Sequence, residues 1–400
     1  MNFSRILEPA IHFAKDGFPV TPRVALDWSD SKEKLEQCPN ASRIFLPYNK
    51  TPKPGSIHRQ PELAKTLKSI ADEGRDIFYN GYIASDIVSF LRAHGSLLEE
   101  NDFNNFSSKY VDPIKTSYKN FDVFECPPNG QGMIALIMLN IMEKFDMSSL
   151  EPNGAQRINL ESEATRLAYV ERAKYLADPD KSKVPVNEVL SKVYADALRS
   201  QITPGNVMHQ KIHKPHAPHK DTVYLCVVDR ERNAISFINS LFHSFGSGLC
   251  TPQTGILLQN RGASFTLDLQ HPNHIAPQKR PMHTIIPGLL AENSKAIMPF
   301  GIMGGHYQPV GHTNFLINMI EYGMDPQEAL EAPRTFLEED ILKVENTIDN
   351  KTLNSLSEMG YQIQQSDRPI GGGQAIRINW DQGTLTGGSD PRKDGCALGY

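Results

Sequence analysis

Thr222 is the residue of this 400-residue chain whose surroundings suggest chemistry most directly. It stands where a polar, proline-bearing stretch, ITPGNVMHQKIHKPHAPHKD over 202–221, meets the apolar run TVYLCVVD. A backbone cut between Asp221 and Thr222 would leave a threonine at a new chain terminus. Its hydroxyl is a poor nucleophile at neutral pH, but the free α-amine beside it can act as general base, so one residue supplies both functions. Such an amine has an ordinary pKa of about 7.7–8.0, near the pH at which a base works best. The alternative reading is a β-branched residue that simply opens a strand.

Glycine-rich turns are the next candidates. Gly304 and Gly305, in FGIMGGHYQPVGH over 300–312, separate an apolar strand-like run from an apolar helix-like one. Backbone N–H groups at such a turn point outward and could stabilise an oxyanion, because glycine lets the chain approach a ligand closely. Gly371-Gly372-Gly373 and the segment ECPPNGQG over 125–132 stand open between a site and a plain turn. His209, His213, His216 and His219 put four of the thirteen histidines in one short stretch, at spacings that could gather a metal. Pro215 and Pro218 forbid a regular helix there, and no acidic ligand comes before Asp221. The stretch reads as a solvated linker, and neither a metal nor a cofactor is expected.

The elements that must hold these residues differ on the two sides of the linker. Before it, apolar residues at three and four spacing predict helices over 62–74, 83–94 and 132–144. Pro61 marks one helix start and Asn159, ahead of Glu161-Ser162-Glu163, another; the stretch 159–200 reads as two helices broken at Asp178-Pro179-Asp180. The opening residues carry an amphipathic helix pattern through Ile6, Ala10, Ile11 and Ala14. After the linker, 222–229 and 234–241 about the turn Arg230 to Arg232 predict an antiparallel hairpin. Strands are expected at 284–291, 296–302 and 374–380, with helices at 314–322 and 326–331. Helices first and strands later suggest one layered α/β or α+β domain.

Composition narrows the function. The 41 basic and 46 acidic residues leave a net charge of −5, which gives no footprint for nucleic acid or an anionic membrane. No run approaches the length of a membrane span, and Glu8, Lys15 and Asp16 interrupt the start where a signal peptide needs an apolar core. The five cysteines, Cys38, Cys126, Cys226, Cys250 and Cys396, are scattered without a CxxC pair, against a disulfide scaffold and a thiolate zinc site.

Six blocks, TVYLCVVDRERNAISFINSLFHSFGSG (222–248), GILLQNRGASF (255–265), KRPMHTIIPG (279–288), GIMGGH (301–306), YGMDPQEALEAPR (322–334) and SDPRKDGCALGY (389–400), resemble in order and spacing the small subunit of the γ-glutamyltranspeptidase family. LEPAIHFAKDGFPVTP (7–22), FYNGYIASDIV (78–88), ECPPNGQG and ESEATRLAYVERAKYLADPD (161–180) resemble its large subunit. The resemblance implies the four-layer αββα sandwich of the N-terminal-nucleophile hydrolases, made as one precursor that cuts itself before a threonine. The cut would fall between Asp221 and Thr222. It would give a large piece, 1–221, and a small piece, 222–400, that associate in one composite domain. Thr222 would then attack a small amide, γ-glutamyl or related, such as glutathione-like or oxamate-like, and pass the acyl group to water or an amine. Gly304 and Gly305 match the family's oxyanion glycines, and Ser240 matches a hydroxyl residue beside the nucleophile.

Where the family carries an aspartate that holds the α-amine of a γ-glutamyl group, the chain has Ser264, which cannot replace its charge. The family's paired serines correspond to His283 and Thr284, an asparagine to Phe242, and the second threonine to Val223. KRPMHTIIPG together with MGGHYQPVGH is similar to the transpeptidase-like branch that includes oxamate amidohydrolase and cephalosporin-acylase-like proteins. Arg261 and His283 are then candidate anchors for a carboxylate or polar amide; the alternative for Arg261 is an ion pair with an acid such as Asp268. The chain begins inside a matching block, after the family's glycine-rich segment and substrate-gripping arginine, so an N-terminal truncation is expected. It should expose unpaired edges and apolar surface. As written the chain stays in the cytoplasm, whereas a lost export signal would make it periplasmic or secreted. The rival expectation is an immature, non-catalytic fragment.

Overall fold

The computed structural model describes residues 2–209 and 222–399. Asp221, His213, His216 and His219 lie outside the described residues. The chain divides into two compact units, Met1–Tyr110 with His243–Asn260, and Val111–Phe242 with Arg261–Tyr400.

The first unit is mainly helical, with helices at Phe3–Asp16, Pro22–Asp30, Pro39–Phe45, Pro61–Glu73 and Tyr82–Ala93. Its core gathers Val20, Trp28, Leu35, Phe45, Leu46 and Cys250. Pro61 occupies the first turn of its helix, as expected, where its missing N–H costs no hydrogen bond. The opening helix forms, but only Ala14 is buried in it, and Ile6 stays exposed. Asp86 fastens the returning segment by accepting from the N–H and hydroxyl of Thr254, at 2.9 and 2.7 Å.

The second unit is built on a six-stranded sheet. Its strands are β1 (Ile114–Tyr118), β2 (Phe121–Glu125), β5 (Gly288–Glu292), β6 (Lys295–Met303), β10 (Gly372–Asn379) and β11 (Thr384–Ser389). They run in the order β11-β10-β6-β5-β2-β1, every neighbour antiparallel. On one face lie helices α1 (Gly132–Met142), α2 (Ala155–Tyr175) and α3 (Gln308–Glu321); on β6 and β10 rests the hairpin of β3 (Val223–Val228) and β4 (Ala234–Asn239). A short helix α4 (Pro326–Glu331) leads to a small sheet of β7 (Thr335–Glu338), β8 (Ile341–Val344) and β9 (Gln362–Gln365). The hairpin keeps Tyr224 and Ile238 inside, while Val223, Leu225, Val227, Ile235 and Phe237 stay exposed on its other face. No helix among the described residues is long and apolar enough to cross a membrane.

Several expectations needed correction. Helix α1 is buried on every side, because its sequence GMIALIMLNIM is apolar all round rather than striped. Helix α2 starts at Ala155 with Gly154 as its cap, so Asn159 is interior. Its amide instead donates to Asn206 O and the Tyr361 hydroxyl, at 3.0 and 2.9 Å. The chain does break at 178–180, but it continues as two short helices, Val186–Val189 and Lys192–Arg199. The strand expected at 284–291 begins only at Gly288, and the helix expected at 314 begins at Gln308. Strands β1 and β2 precede the linker, in a stretch that reads as mostly helical and for which no strand was expected.

Candidate active site

The hairpin register sets two hydroxyls against each other. β3 and β4 pair from Val223 opposite Asn239 to Val228 opposite Ala234, so Thr222 and Ser240 meet one step beyond the first rung. Thr222 is buried, and its hydroxyl donates to Ser240 Oγ at 3.2 Å. The same Oγ accepts from the Phe242 N–H at 3.0 Å.

Packing then aligns the hairpin with β6. The Tyr224 ring covers Gly301, where any Cβ would collide with it, and Ser236 Oγ donates to Phe300 O at 3.2 Å. Tyr224, Ile238 and Met303 share an apolar cluster with Cys226 and Ile285. Tyr224, Ile238, Met303 and Ile285 lie one or two positions from Thr222, Ser240, Gly304 and Thr284 respectively. The four expected site positions therefore gather at one end of the strands.

Strand β6 ends at Met303, and the chain turns through Gly304 (φ 125°) and Gly305 (φ 59°) into α3. Only glycine adopts the first conformation readily. The start of a 14-residue helix supplies a partial positive charge to this turn. The triple glycine packs against it: a Cβ on Gly304 would lie 2.9 Å from Gly371 Cα, and one on Gly371 2.7 Å from Met303 O. Gly371 thus lets two backbones close together, whereas a Cβ on Gly372 would meet the Lys393 side chain and one on Gly373 the side chains of Ile302 and Leu330.

Arg261, Ser264, His283, Thr284 and Phe242 form a second group. Arg261 is buried, donates from Nη1 to Thr284 Oγ1 at 2.7 Å, and lies 4.5 Å above the Phe242 ring. Burial lowers its pKa to about 10. Asp268 is exposed, and its carboxylate accepts from the Gln270 N–H, so it plays a local turn role. His283 is pushed down to about 3, by burial first and by Arg261 second. It is therefore neutral, and its Nδ1 accepts from the Ile285 N–H at 3.3 Å, which leaves the proton on Nε2. Ser264 turns its hydroxyl to the backbone, 2.9 Å from Arg261 O and 2.7 Å from Met282 O. Thr284 is fully buried, so its hydroxyl orients Arg261.

Behind the double-glycine turn stand residues for which no expectation existed. Gln131 donates from Nε2 to Thr284 O at 2.8 Å and Gly305 O at 2.7 Å. Arg172 donates to Gln131 Oε1 at 3.2 Å and to His306 Nδ1 at 3.1 Å, and the Tyr169 hydroxyl donates to His306 O. Arg280 clasps the buried Asp178 through its backbone N–H, Nε and Nη2, at 2.9, 3.1 and 2.6 Å. From the helix side, His312 Nε2 accepts from the Ile302 N–H at 3.1 Å and its Nδ1 lies 2.6 Å from Glu125 Oε1. The legible trace of Gln131 was the glycine-bearing PPNGQG turn running into an apolar helix; nothing marked its side chain.

A threonine heading a hairpin laid across an antiparallel sheet, beside a double-glycine helix start, is the arrangement of an N-terminal-nucleophile hydrolase. The γ-glutamyltranspeptidase family model matches residues 1–400, and the chain belongs to that family of amidohydrolases and acyltransferases. It is 36% identical over 408 residues to the glutathione hydrolase-like YwrD proenzyme of Bacillus subtilis, covering 100% of this chain and 77% of that protein. It is 32% identical to the oxamate amidohydrolase proenzyme of Klebsiella pneumoniae, over 99% of this chain and 76% of the relative. The crystal structure of cephalosporin acylase from Bacillus halodurans superposes with a TM-score of 0.93 at 35% identity, covering 100% of this chain and 75% of that one. The fold class expected from the sequence holds.

Proposed function

We propose that the chain is a precursor cut between Asp221 and Thr222, whose pieces 1–221 and 222–400 stay associated, and that Thr222 is the nucleophile. The freed α-amine takes the hydroxyl proton while Oγ attacks the carbonyl carbon of a small amide. The carbonyl oxygen gains the negative charge, and the backbone at Gly304 and Gly305 stabilises it. Collapse breaks the C–N bond, and the proton held by the α-amine leaves with the amine product. The threonyl ester then yields its acyl group to water, or to an amine, with the same amine as base. The observation that carries this reading is the Thr222–Ser240 pair at the strand end beside that turn.

The substrate class is argued from the second group. Arg261 supplies a fixed cation and His283 a neutral N–H donor, a pair that suits a carboxylate on the acyl part of the substrate. Ser264 has no charge and faces backbone carbonyls, so an α-ammonium meets no carboxylate there. A glutaryl amide, which has the carboxylate without the ammonium, should outperform a γ-glutamyl amide of the same length. Oxamate, named for one relative, also carries a carboxylate beside its amide.

Two experiments test the reading. Mass spectrometry and N-terminal sequencing of the purified protein should find two pieces, the second beginning with Thr222, and a single intact chain in Thr222→Ala. Identical intact chains in both would remove the self-cleavage. Rates on glutaryl and γ-glutamyl anilides should favour the first by at least tenfold, and the reverse order would overturn the substrate assignment.

A further inference from the structure

Gln131 is fully buried at the entry to α1, and each polar atom of its side chain is used. Its Nε2 hydrogens reach two carbonyls that are far apart in sequence, Thr284 O and Gly305 O. Its Oε1 faces the Arg172 guanidinium, which can only donate, so the orientation of the amide is settled by its neighbours. Its own backbone N–H donates to His283 O at 2.9 Å, and the His283 N–H donates to Asn129 O at 2.8 Å. One residue therefore ties together the double-glycine turn, the segment that carries His283 and Thr284, and the head of a core helix.

Neighbouring contacts extend the same hold. His306 O accepts from Tyr169, His306 Nδ1 from Arg172, and the Arg172 guanidinium lies 4.1 Å above the Tyr169 ring. The Ile286 N–H donates to Gln308 Oε1 at 3.2 Å, a second link between the two segments. The carbonyls of Gly305 and His306, held from the core side, fix the two peptide planes that follow the double glycine, and Gly304 O accepts from the Tyr307 N–H at 3.1 Å, which holds the plane that carries the Gly305 N–H. An oxyanion site depends on such fixed planes, because displacing a donor by about 1 Å can cost about a hundredfold in rate.

We propose that Gln131 is a positioning residue for catalysis: its amide, aligned by Arg172, sets the Gly304-Gly305 turn relative to the Arg261, His283 and Thr284 group. The proposal rests on the reading of that turn as the oxyanion site. It also assigns a task across the cut, since Gln131, Tyr169 and Arg172 precede Thr222 while both segments they hold come after it.

The test is kinetic, with glutaryl anilide as probe. Gln131→Leu keeps the bulk and loses both donors. It should lower kcat by about thirtyfold to a hundredfold while KM changes by less than about threefold. Gln131→Glu gives a measure internal to one folded protein. Its carboxylate faces two carbonyls at neutral pH, and regains one donor when protonated. Its kcat relative to wild type should therefore climb as the pH falls from 7 to 5. A Gln131→Leu enzyme within twofold of wild-type kcat, or a Gln131→Glu profile parallel to wild type, would overturn the positioning role. If Thr222→Ala itself retains activity, the underlying reading fails and Gln131 has no turn to serve. Loss of activity in Thr222→Ala beside a normal Gln131→Leu overturns the positioning alone.

Discussion

The hydroxyl of Thr222 donates to that of Ser240 across the open end of a hairpin whose register leaves no other pairing. Shifting the register by one residue would turn Tyr224 and Ile238 away from Met303, so the same alternation that buries the hairpin also pairs the hydroxyls. Ser240→Ala removes the acceptor that orients the Thr222 hydroxyl. The expected result is a fall in kcat of about fivefold to tenfold with KM little changed, read from steady-state kinetics. A larger change in KM than in kcat would place Ser240 in substrate binding instead.

Gly304→Ala should be more severe. The residue sits at φ 125° with Gly371 Cα 2.9 Å from any added Cβ, so the turn must move. A loss of about a hundredfold or more in kcat is expected. Gly371→Ala, which meets Met303 O at 2.7 Å, should show a weaker loss of the same kind. Normal turnover by Gly371→Ala would mean that the turn tolerates a shift.

How much of this was legible beforehand depended on what each segment had to do. The hairpin was readable because AISFIN alternates between an inward and an outward face. The same logic failed for β1 and β2, where IKTSY and FDVFE mix polar residues into the sheet edge and join through Lys119 at φ 53° without the usual glycine. Helix α1 was found by apolar residues at three and four spacing, yet burial on all sides leaves no polar face to say which side is inward. Thr222, Ser240 and the glycine pair could be picked out by type and by resemblance. Gln131 could not, since a buried amide that bridges carbonyls at positions 284 and 305 has no local pattern.

Asp178→Ala should weaken the second unit. The carboxylate is buried, accepts three bonds from Arg280, and is held below the usual carboxylate range chiefly by the Arg280 hydrogen bonds, against the opposing effect of burial. Because the Arg280 side chain is 45% exposed, the expected loss is about 2 kcal/mol rather than the larger value of an enclosed pair. Chemical denaturation would measure it; an unchanged midpoint would reduce the clasp to a surface contact. The pair also spans the proposed cut, so the two pieces of the variant should separate at lower urea than wild type.

Acid should destabilise the first unit through His58. Its ring packs among Trp28, Phe45 and Phe18, and burial lowers its pKa from 6.5 to about 4. Between these values the unfolded chain binds a proton that the folded chain does not. Stability is therefore complete above pH 6.5 and falls as the pH drops toward 4, by at most about 1.4 kcal/mol per unit. Denaturant midpoints at pH 7 and pH 5 should differ less in His58→Phe than in wild type. Equal slopes in the two proteins would assign the acid sensitivity to other groups.

Both ring nitrogens of His312 are committed, one to the Ile302 N–H and the other to Glu125, so the tautomer is fixed with its proton between ring and carboxylate. That proton joins helix α3 to β2 while the other nitrogen holds β6, and neither His312 nor Glu125 is exposed. It should give a far-downfield proton resonance that persists in heavy water. Its rate of disappearance would then be a clock for the opening of the whole sheet, independent of any substrate.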